Sequence, residues 1–366
     1  MQRKDEIMKR NLLAILCLVC MLASLMAGCG AKESADTSDK GGAQTEATED
    51  KPTYQLRISH IGAPDTWYDL IPREMVARMN EQAGYEAFKL EMYSSGQLAN
   101  GDSENAELAN TGTIEMTFTA SDGIVNLNGA LERWNIIAMP FILPNEDALN
   151  AFYDGEYGQA LCKEATDATN VIVYPGWPTG GSILGSNKGE IRVPSDISGQ
   201  KIRTTTSTLI MKSVEAWGAT PVSVAWGETY TALQQGTVDG MINGLTSWYG
   251  GAFGEVCDYG TVLNSYINTN VPLVNKDFYN SLTPELQAIF DDGMEWLVQA
   301  FRDEYVKLAA EYLGEIEEAG MDIIELTDAE KEVWVEATAA MVEEYADIAG
   351  GMDYIKEVQA HVKTLG

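Results

Sequence analysis

The sequence predicts an α/β fold built as two lobes in series, with one long helix running across both. Three observations carry that prediction. Strand-like and helix-like segments alternate twice, once before Trp177 and once after it, the pattern of layered α/β lobes with largely parallel sheets. The 366 residues exceed one small domain, which makes two lobes the natural expectation. From Leu286 to Tyr312 apolar residues recur at three-to-four spacing, so one face of an extended helix is apolar.

YQLRIS (54–59) reads as the first strand. The helix after it is bounded by Asp65, placed to cap, and Gly84, placed to stop it. EAFKLEMY (86–93) is the next strand, SSGQLANGD turns the chain into a short helix over 103–111, and TIEMTFTA (113–120) is a buried strand. Two helices over about 145–169 and the strand VIVYPG (171–176) complete the first run. GWPTGGS (176–182) is glycine-rich with no clear helix after it and reads as a turn or hinge. GSILGSNK (181–188) and GQKIRT (199–204) are strands, and STLIMKSVEAWG (207–218) is a helix closed by Gly218. GETYTALQQG (227–236) is another helix and TVDGMIN (237–243) a strand. Thr283 before Pro284 supplies an N-cap with proline at the first helical position. At about 1.5 Å per residue this helix reaches about 50 Å, more than one lobe. Thr327 and Glu330 form a capping box for a last helix.

Composition narrows the function classes. With 45% hydrophobic and 9% aromatic residues the chain can bury a full core. Lys and Arg number 24 against 55 Asp and Glu, a formal net charge of -31. Such a surface repels phosphate backbones, so no nucleic-acid partner is expected. The two histidines, His60 and His361, lie at opposite ends of the chain, which argues against a His-based metal site or a Ser/His/Asp triad. Neither GxSxG, a P-loop nor GxGxxG occurs. No enzyme activity, metal or cofactor is expected.

The N-terminus reads as an address. Arg3, Lys4, Lys9 and Arg10 precede the apolar run NLLAILCLVCMLASLMAGC (11–29), which ends in small residues directly before Cys29. A plain secretory leader ends in A-x-A-like residues without that cysteine. The pattern is similar to a bacterial lipobox, which implies a lipoprotein signal peptide over 1–28 and a lipid on Cys29. A single transmembrane anchor is the alternative, with a run at the short end of what spans a bilayer. Residues 29–52 carry almost no large apolar side chain and read as a solvated, disordered tether. The folded part is expected outside the cytoplasmic membrane, anchored at the cell surface or in the periplasm. Cys162 and Cys257 either pair or are small buried hydrophobes, the latter fitting better with their separate helices.

One cation stands out. Arg203 ends the strand GQKIRT and is followed by small hydroxyl residues. Strand ends in an α/β lobe open on the crevice where ligands bind. A guanidinium there either meets an anion, its planar fork matching a carboxylate, or forms a structural ion pair with one of the many acids. The residues alone leave these two readings level.

The segments around Arg203 resemble the substrate-binding proteins of TRAP (tripartite ATP-independent periplasmic) transporters, the dicarboxylate-binding-protein family. Four stretches carry the resemblance: MYSSGQLANGD (92–102), DISGQKIRT (196–204), AWGETYTALQQGTVDGMIN (225–243) and NKDFYNSLTPELQAIF (275–290). It covers about 53–360 and implies a periplasmic-binding-protein-like clamshell. Such a protein closes on an organic acid and hands it to integral-membrane TRAP permease subunits, without chemistry on the ligand. Lobe I would comprise 53–178 and 269–307, and lobe II 179–268 and 308–366, with hinges near Pro175–Thr179 and Tyr266–Val271. A monomer is expected.

The resemblance also implies site residues. Arg203 would clamp the carboxylate, Trp226 would supply a ring and Asn243 an amide, with polar contacts from His60, Asp102 and Thr206. Trp177, Trp248 and Tyr249 are expected in or near the cleft, Trp248 equally as core, while Trp217 is expected to pack its helix onto the sheet. This chain departs from the family pattern at Ile242 and Gly244, where a carboxylate and a proline are usual. Ser182 or Ile183 stands where many members carry a second arginine, and Ala120 where some carry a carboxylate. A cleft less polar than a dicarboxylate pocket follows, and one firm cation among aromatics suggests a monocarboxylate with an apolar or ring-bearing body. A receptor feeding a membrane sensor is an alternative reading, as is an enzyme on the same fold. An ABC-type binding protein is disfavoured by the motifs.

Overall fold

The structure, a computed structural model, describes residues 51–365; the expected signal peptide, Cys29 and the tether up to Asp50 lie outside them. The first run of alternation folds as its pattern predicts. Strands β1 (Tyr54–Ser59), β2 (Phe88–Tyr93) and β3 (Met116–Thr119) are parallel, with β1 between the other two. Leu56, Ile58, Met116 and Phe118 are buried in them, as parallel strands covered by helices require. The crossover helix Trp67–Ala83 ends at Gly84, whose φ of 73° lets its N–H donate to Asn80 O and Glu81 O; that left-handed turn suits glycine. Asp65 is not the cap. Thr66 holds that position, and Asp65 is itself left-handed (φ 59°), its N–H donating to Asp69 Oδ2.

The remaining strands are β4 (Val171–Val173), β5 (Trp177–Ser186), β6 (Lys201–Thr204), β7 (Thr220–Ser223), β8 (Gly240–Gly244), β9 (Tyr259–Asn275) and β10 (Asp322–Glu325). The 17-residue β9 joins the two lobes. Its C-terminal part pairs antiparallel with β3 and β4, its N-terminal part antiparallel with β5 and parallel with β10. β8 lies antiparallel to β5 and parallel to β6, which is parallel to β7. The order is β2-β1-β3-β9-β5-β8-β6-β7, a two-lobed clamshell with shared central strands. The expectation of largely parallel sheets fails at this centre. A strand passing between lobes enters each sheet in the direction of the crossover, not of a βαβ unit.

GWPTGGS is also corrected, since it opens β5 rather than forming a turn. All of β5 is buried, and its pairing with β9 slips between Pro178 and Gly180 and again between Gly181 and Ile183. Glycine permits the slips: Gly180 has a φ of 107°, and a Cβ on Gly181 would lie 1.9 Å from Asn264 Oδ1. The loop-like composition thus marks bulges inside a strand. At Gly240 the approach is to backbone, with a Cβ meeting Gly185 O at 2.0 Å. Gly240→Ala is therefore expected to destabilise the fold by about 1–3 kcal/mol, read as a lower urea midpoint. An unchanged midpoint would contradict the β5–β8 register.

The long helix is present as Pro284–Glu318, with Thr283 accepting from Leu286 N. Its residues from Leu286 to Tyr305 pack in one core with Leu56, Phe118 and Trp177. Tyr312 and Ile316 pack in another with Ile183, Met241 and Trp248. The helix thus spans both lobes. The Thr327–Glu330 capping box forms, but its helix is not the last, because Met352–Leu365 follows. Trp217 packs edge-on to Trp334 at 5.1 Å. Cys162 and Cys257 are buried and unpaired. No helix among the described residues is long and apolar enough to cross a membrane.

Candidate functional site

Strand ends from both lobes converge on one cavity of about 640 Å³. Ile61 to Ala63 follow β1, Ala120 and Asp122 follow β3, and Thr205 and Thr206 follow β6, all on its wall. Asn243 of β8, Thr179 of β5, and Asn268 and Asn270 of β9 complete the seam between the lobes. The carboxyl ends of parallel strands leave such a crevice, since the helices that cover the sheet start beyond it.

Arg203 lines this cavity and is 3% exposed. Its Nε and Nη2 both donate to Val224 O, at 3.1 and 2.9 Å. Nη1 is shielded from water and finds no acceptor among the described residues. Burial pushes the guanidinium down to about 10, against the opposing fields of Tyr266, Asp122 and Asp102. The structural ion pair left open by the sequence does not form among the described residues. A buried donor without an acceptor is unfavourable by about 1–3 kcal/mol.

Asp102, Thr206, Trp226 and Asn243 share the wall with Arg203. Thr206 Oγ1 donates to Asp122 Oδ2 at 2.8 Å, and Ala120 N donates to Asp102 Oδ1 at 3.1 Å. Burial first, then the neighbouring Asp122, pushes the Asp102 carboxyl up to about 7, while the Ala120 N–H and Arg203 pull it down. Asn243 Oδ1 accepts from Gly244 N (2.9 Å) and Asn268 Nδ2 (3.1 Å), which leaves its Nδ2 to donate. Trp226 stands edge-on to Phe253 at 5.3 Å and 85°.

Three expected residues are not on the wall. His60 is buried behind it, with Nε2 2.9 Å from Asp69 Oδ1 and its imidazole held below its usual pKa by burial. Ser94 Oγ also donates to Asp69 Oδ1 at 2.6 Å, so this network props the loop after β1. Trp177 is fully buried and stacked on Phe301, with centroids 4.0 Å apart and 2° between planes. Trp248 is fully buried, donating to Ile183 O at 3.0 Å. Both elements do reach the cleft, through Thr179 on β5 and through Tyr249 beside Trp248, but the two indoles point the other way, into the apolar cores.

The aromatic character survives in Tyr249, expected near the cleft, and in two further tyrosines. Tyr68, Tyr249 and Tyr312 line the cavity, the last two stacked at 3.8 Å and 10°. Asn270 Nδ2 donates to Tyr68 OH at 2.9 Å. The expected loss of polarity is corrected too: Ala120 itself is neutral, but Asp122 two residues on reaches the wall, as does Glu104. Asp122 had a sequence signal, an acid just past the end of a strand; Tyr312 and Asn268 had none, because only the folding of the long helix and β9 brings them there. Ser182 is buried in the sheet, bonded to Ser265 at 2.9 Å, and Arg203 is the one cationic side chain on the wall among the described residues.

Residues 58–348 match the bacterial extracellular solute-binding protein family 7. The chain belongs to that family. It is 24% identical over 297 residues to the C4-dicarboxylate-binding protein DctB of Bacillus subtilis, covering 81% of this chain and 83% of that one. It is 27% identical over 304 residues to the C4-dicarboxylate-binding periplasmic protein DctP of Rhodobacter capsulatus, covering 81% and 87%. Among solved structures, a TRAP periplasmic solute-binding protein of Sulfurospirillum deleyianum with bound succinate superposes with a TM-score of 0.77. That match has 26% identity and covers 84% of this chain and 99% of the other. Membership in family 7 makes this an extracytoplasmic solute-binding protein of the TRAP type.

Proposed function

We propose that this chain captures an organic acid through Arg203 and delivers it to a TRAP permease by hinge closure, leaving the ligand chemically unchanged. The observation that carries the reading is the buried Arg203 guanidinium with Nη1 unpartnered on a cavity wall. The fork is already half-held by Val224 O, so little rotamer freedom is lost when a carboxylate arrives. Asn243, Thr206 and Asp102 are polar contacts beside it, and Trp226 is the ring against the ligand body. The relatives' own ligands, C4-dicarboxylates and succinate, support an acid. The acidic surface does not oppose it, because distant charges are screened within about 10 Å at ordinary salt.

Lobe I is assigned to 53–178 and 269–307 and lobe II to 179–268 and 308–366. β5 and β9 are the hinge strands, and the long helix is the third connection. Closure belongs to the hinge repertoire of two-lobed binders. The protein acts as a monomer tethered through a lipid on Cys29, a reading supported by the small residues before that cysteine and the basic, apolar run ahead of them.

A thermal-shift screen over aliphatic, aromatic and sugar acids tests the capture step. A ligand at a hundred times its Kd should stabilise the folded state by about 2.7 kcal/mol. A screen in which carboxylates give no shift while neutral sugars do would remove Arg203 from the binding role.

A further inference from the structure

The cleft holds more charge than a simple acid needs. Asp102, Glu104 and Asp122 line the same cavity as Arg203. Glu104 is engaged, its Oε2 accepting from Asn100 N at 2.9 Å. The other two are not fully engaged. Asp122 takes the Thr206 hydroxyl on Oδ2, while its Oδ1 is shielded from water and unpartnered among the described residues. Asp102 takes the Ala120 N–H on Oδ1. Thr179 of the same wall is 1% exposed and its Oγ1 is also unpartnered among the described residues. Trp226, Tyr68, Tyr249 and Tyr312 also line the wall.

We propose that the ligand is a zwitterion, its carboxylate on Arg203 and its cationic nitrogen held by Asp102 and Asp122 against the aromatic wall. This rests on the organic-acid reading and narrows it. A dicarboxylate would bring its second negative charge to a pair of carboxylates, a like-charge contact that works against binding. A neutral body would leave Asp122 Oδ1 without a donor in a closed cleft. A cationic head supplies that donor or, if quaternary, neutralises the pair electrostatically. Aromatic faces suit ammonium and amidinium groups through their ring quadrupoles.

The charge state of the pair gives the reading a sign. Asp102 faces Asp122 on the helix Ser121–Val125, Arg203 on β6, Tyr68 on the helix Trp67–Ala83 and Glu104 on its own helix. With its carboxyl at about 7 in the empty cleft, Asp102 is part-protonated near neutral pH. A cationic head favours the ionised form and expels that proton, so zwitterion affinity rises with pH through about 7 and is lost below it. An acid lacking the cation shows the opposite slope.

Matched probes isolate the cation. γ-Aminobutyrate and valerate differ by one positive charge at nearly constant shape, as do glycine betaine and tert-butylacetate. Each is titrated into the folded chain by calorimetry at about pH 6 and about pH 8, on either side of the Asp102 titration. The zwitterion of at least one pair should bind more tightly than its partner, by a margin that grows with pH. Asp102→Asn and Asp122→Asn should each cut that margin about ten-fold without changing the melting temperature of the empty protein by a comparable amount. Binding of valerate or tert-butylacetate through Arg203, with no zwitterion binding more tightly, would overturn this inference and keep the organic-acid reading. Binding of no probe would overturn this inference alone, whereas binding that survives Arg203→Ala would overturn both.

Discussion

Arg203→Ala should lower affinity for the captured acid by about 2–5 kcal/mol, thirty-fold or more, with the largest part in the dissociation rate. The reason is geometric. The guanidinium is 3% exposed and reaches the cavity from the end of β6, so a truncated side chain leaves the ligand carboxylate desolvated without a partner. No neighbour compensates, because the wall carries no other cationic side chain among the described residues. Arg203→Lys keeps the charge but loses the fork that also holds Val224 O, so it should recover only part of the loss. Calorimetry on the two variants reads the effect, and melting temperature checks that both fold. An affinity unchanged in Arg203→Ala would remove Arg203 from the site.

Trp177→Ala should produce the opposite profile, a loss of about 3–5 kcal/mol in stability with the affinity of the folded protein changed by less than about three-fold. Trp177 is fully buried, stacked on Phe301 and edge-on to Phe118 at 5.4 Å. Phe301 in turn meets Trp67 at 5.4 Å from the long helix. Removing the indole opens a cavity where β5 passes under that helix. Denaturant unfolding with and without ligand separates the two quantities. A stable variant that binds poorly would return Trp177 to the cleft.

These two residues show which parts of the molecule were legible. Arg203 could be found because its signal is local: a cation at the end of a strand, inside a segment with family character. The strand β1, the helix stop at Gly84 and the Thr327–Glu330 box were readable for the same reason, since each depends on a few adjacent residues. Trp177 is expected on the wrong side, and Trp248 is left between cleft and core, because proximity to a strand end in sequence does not say which side of an element faces the cleft. β9 escaped notice altogether. Its identity as a strand shared by two sheets comes from partners far away in the sequence, such as Met116 opposite Val274. GWPTGGS reads as loop by composition, yet burial on every residue of β5 makes it a bulged strand. Asp122 was hidden in a subtler way. Ala120 occupied the expected position, and the carboxylate arrives two residues later from the first turn of the next helix.

The polarity of the cleft follows from that displacement. A neutral residue at 120 suggested a pocket for an apolar acid, whereas the folded wall sets Asp102 and Asp122 beside a single arginine.

The most direct test is a crystal structure of the chain with the acid that gives the largest thermal shift. A carboxylate oxygen is expected within hydrogen-bond distance of Arg203 Nη1, with the ligand body against Trp226 and the lobes closed over it. A ligand bound elsewhere, with Arg203 still bonded to Val224 O alone, would contradict that expectation.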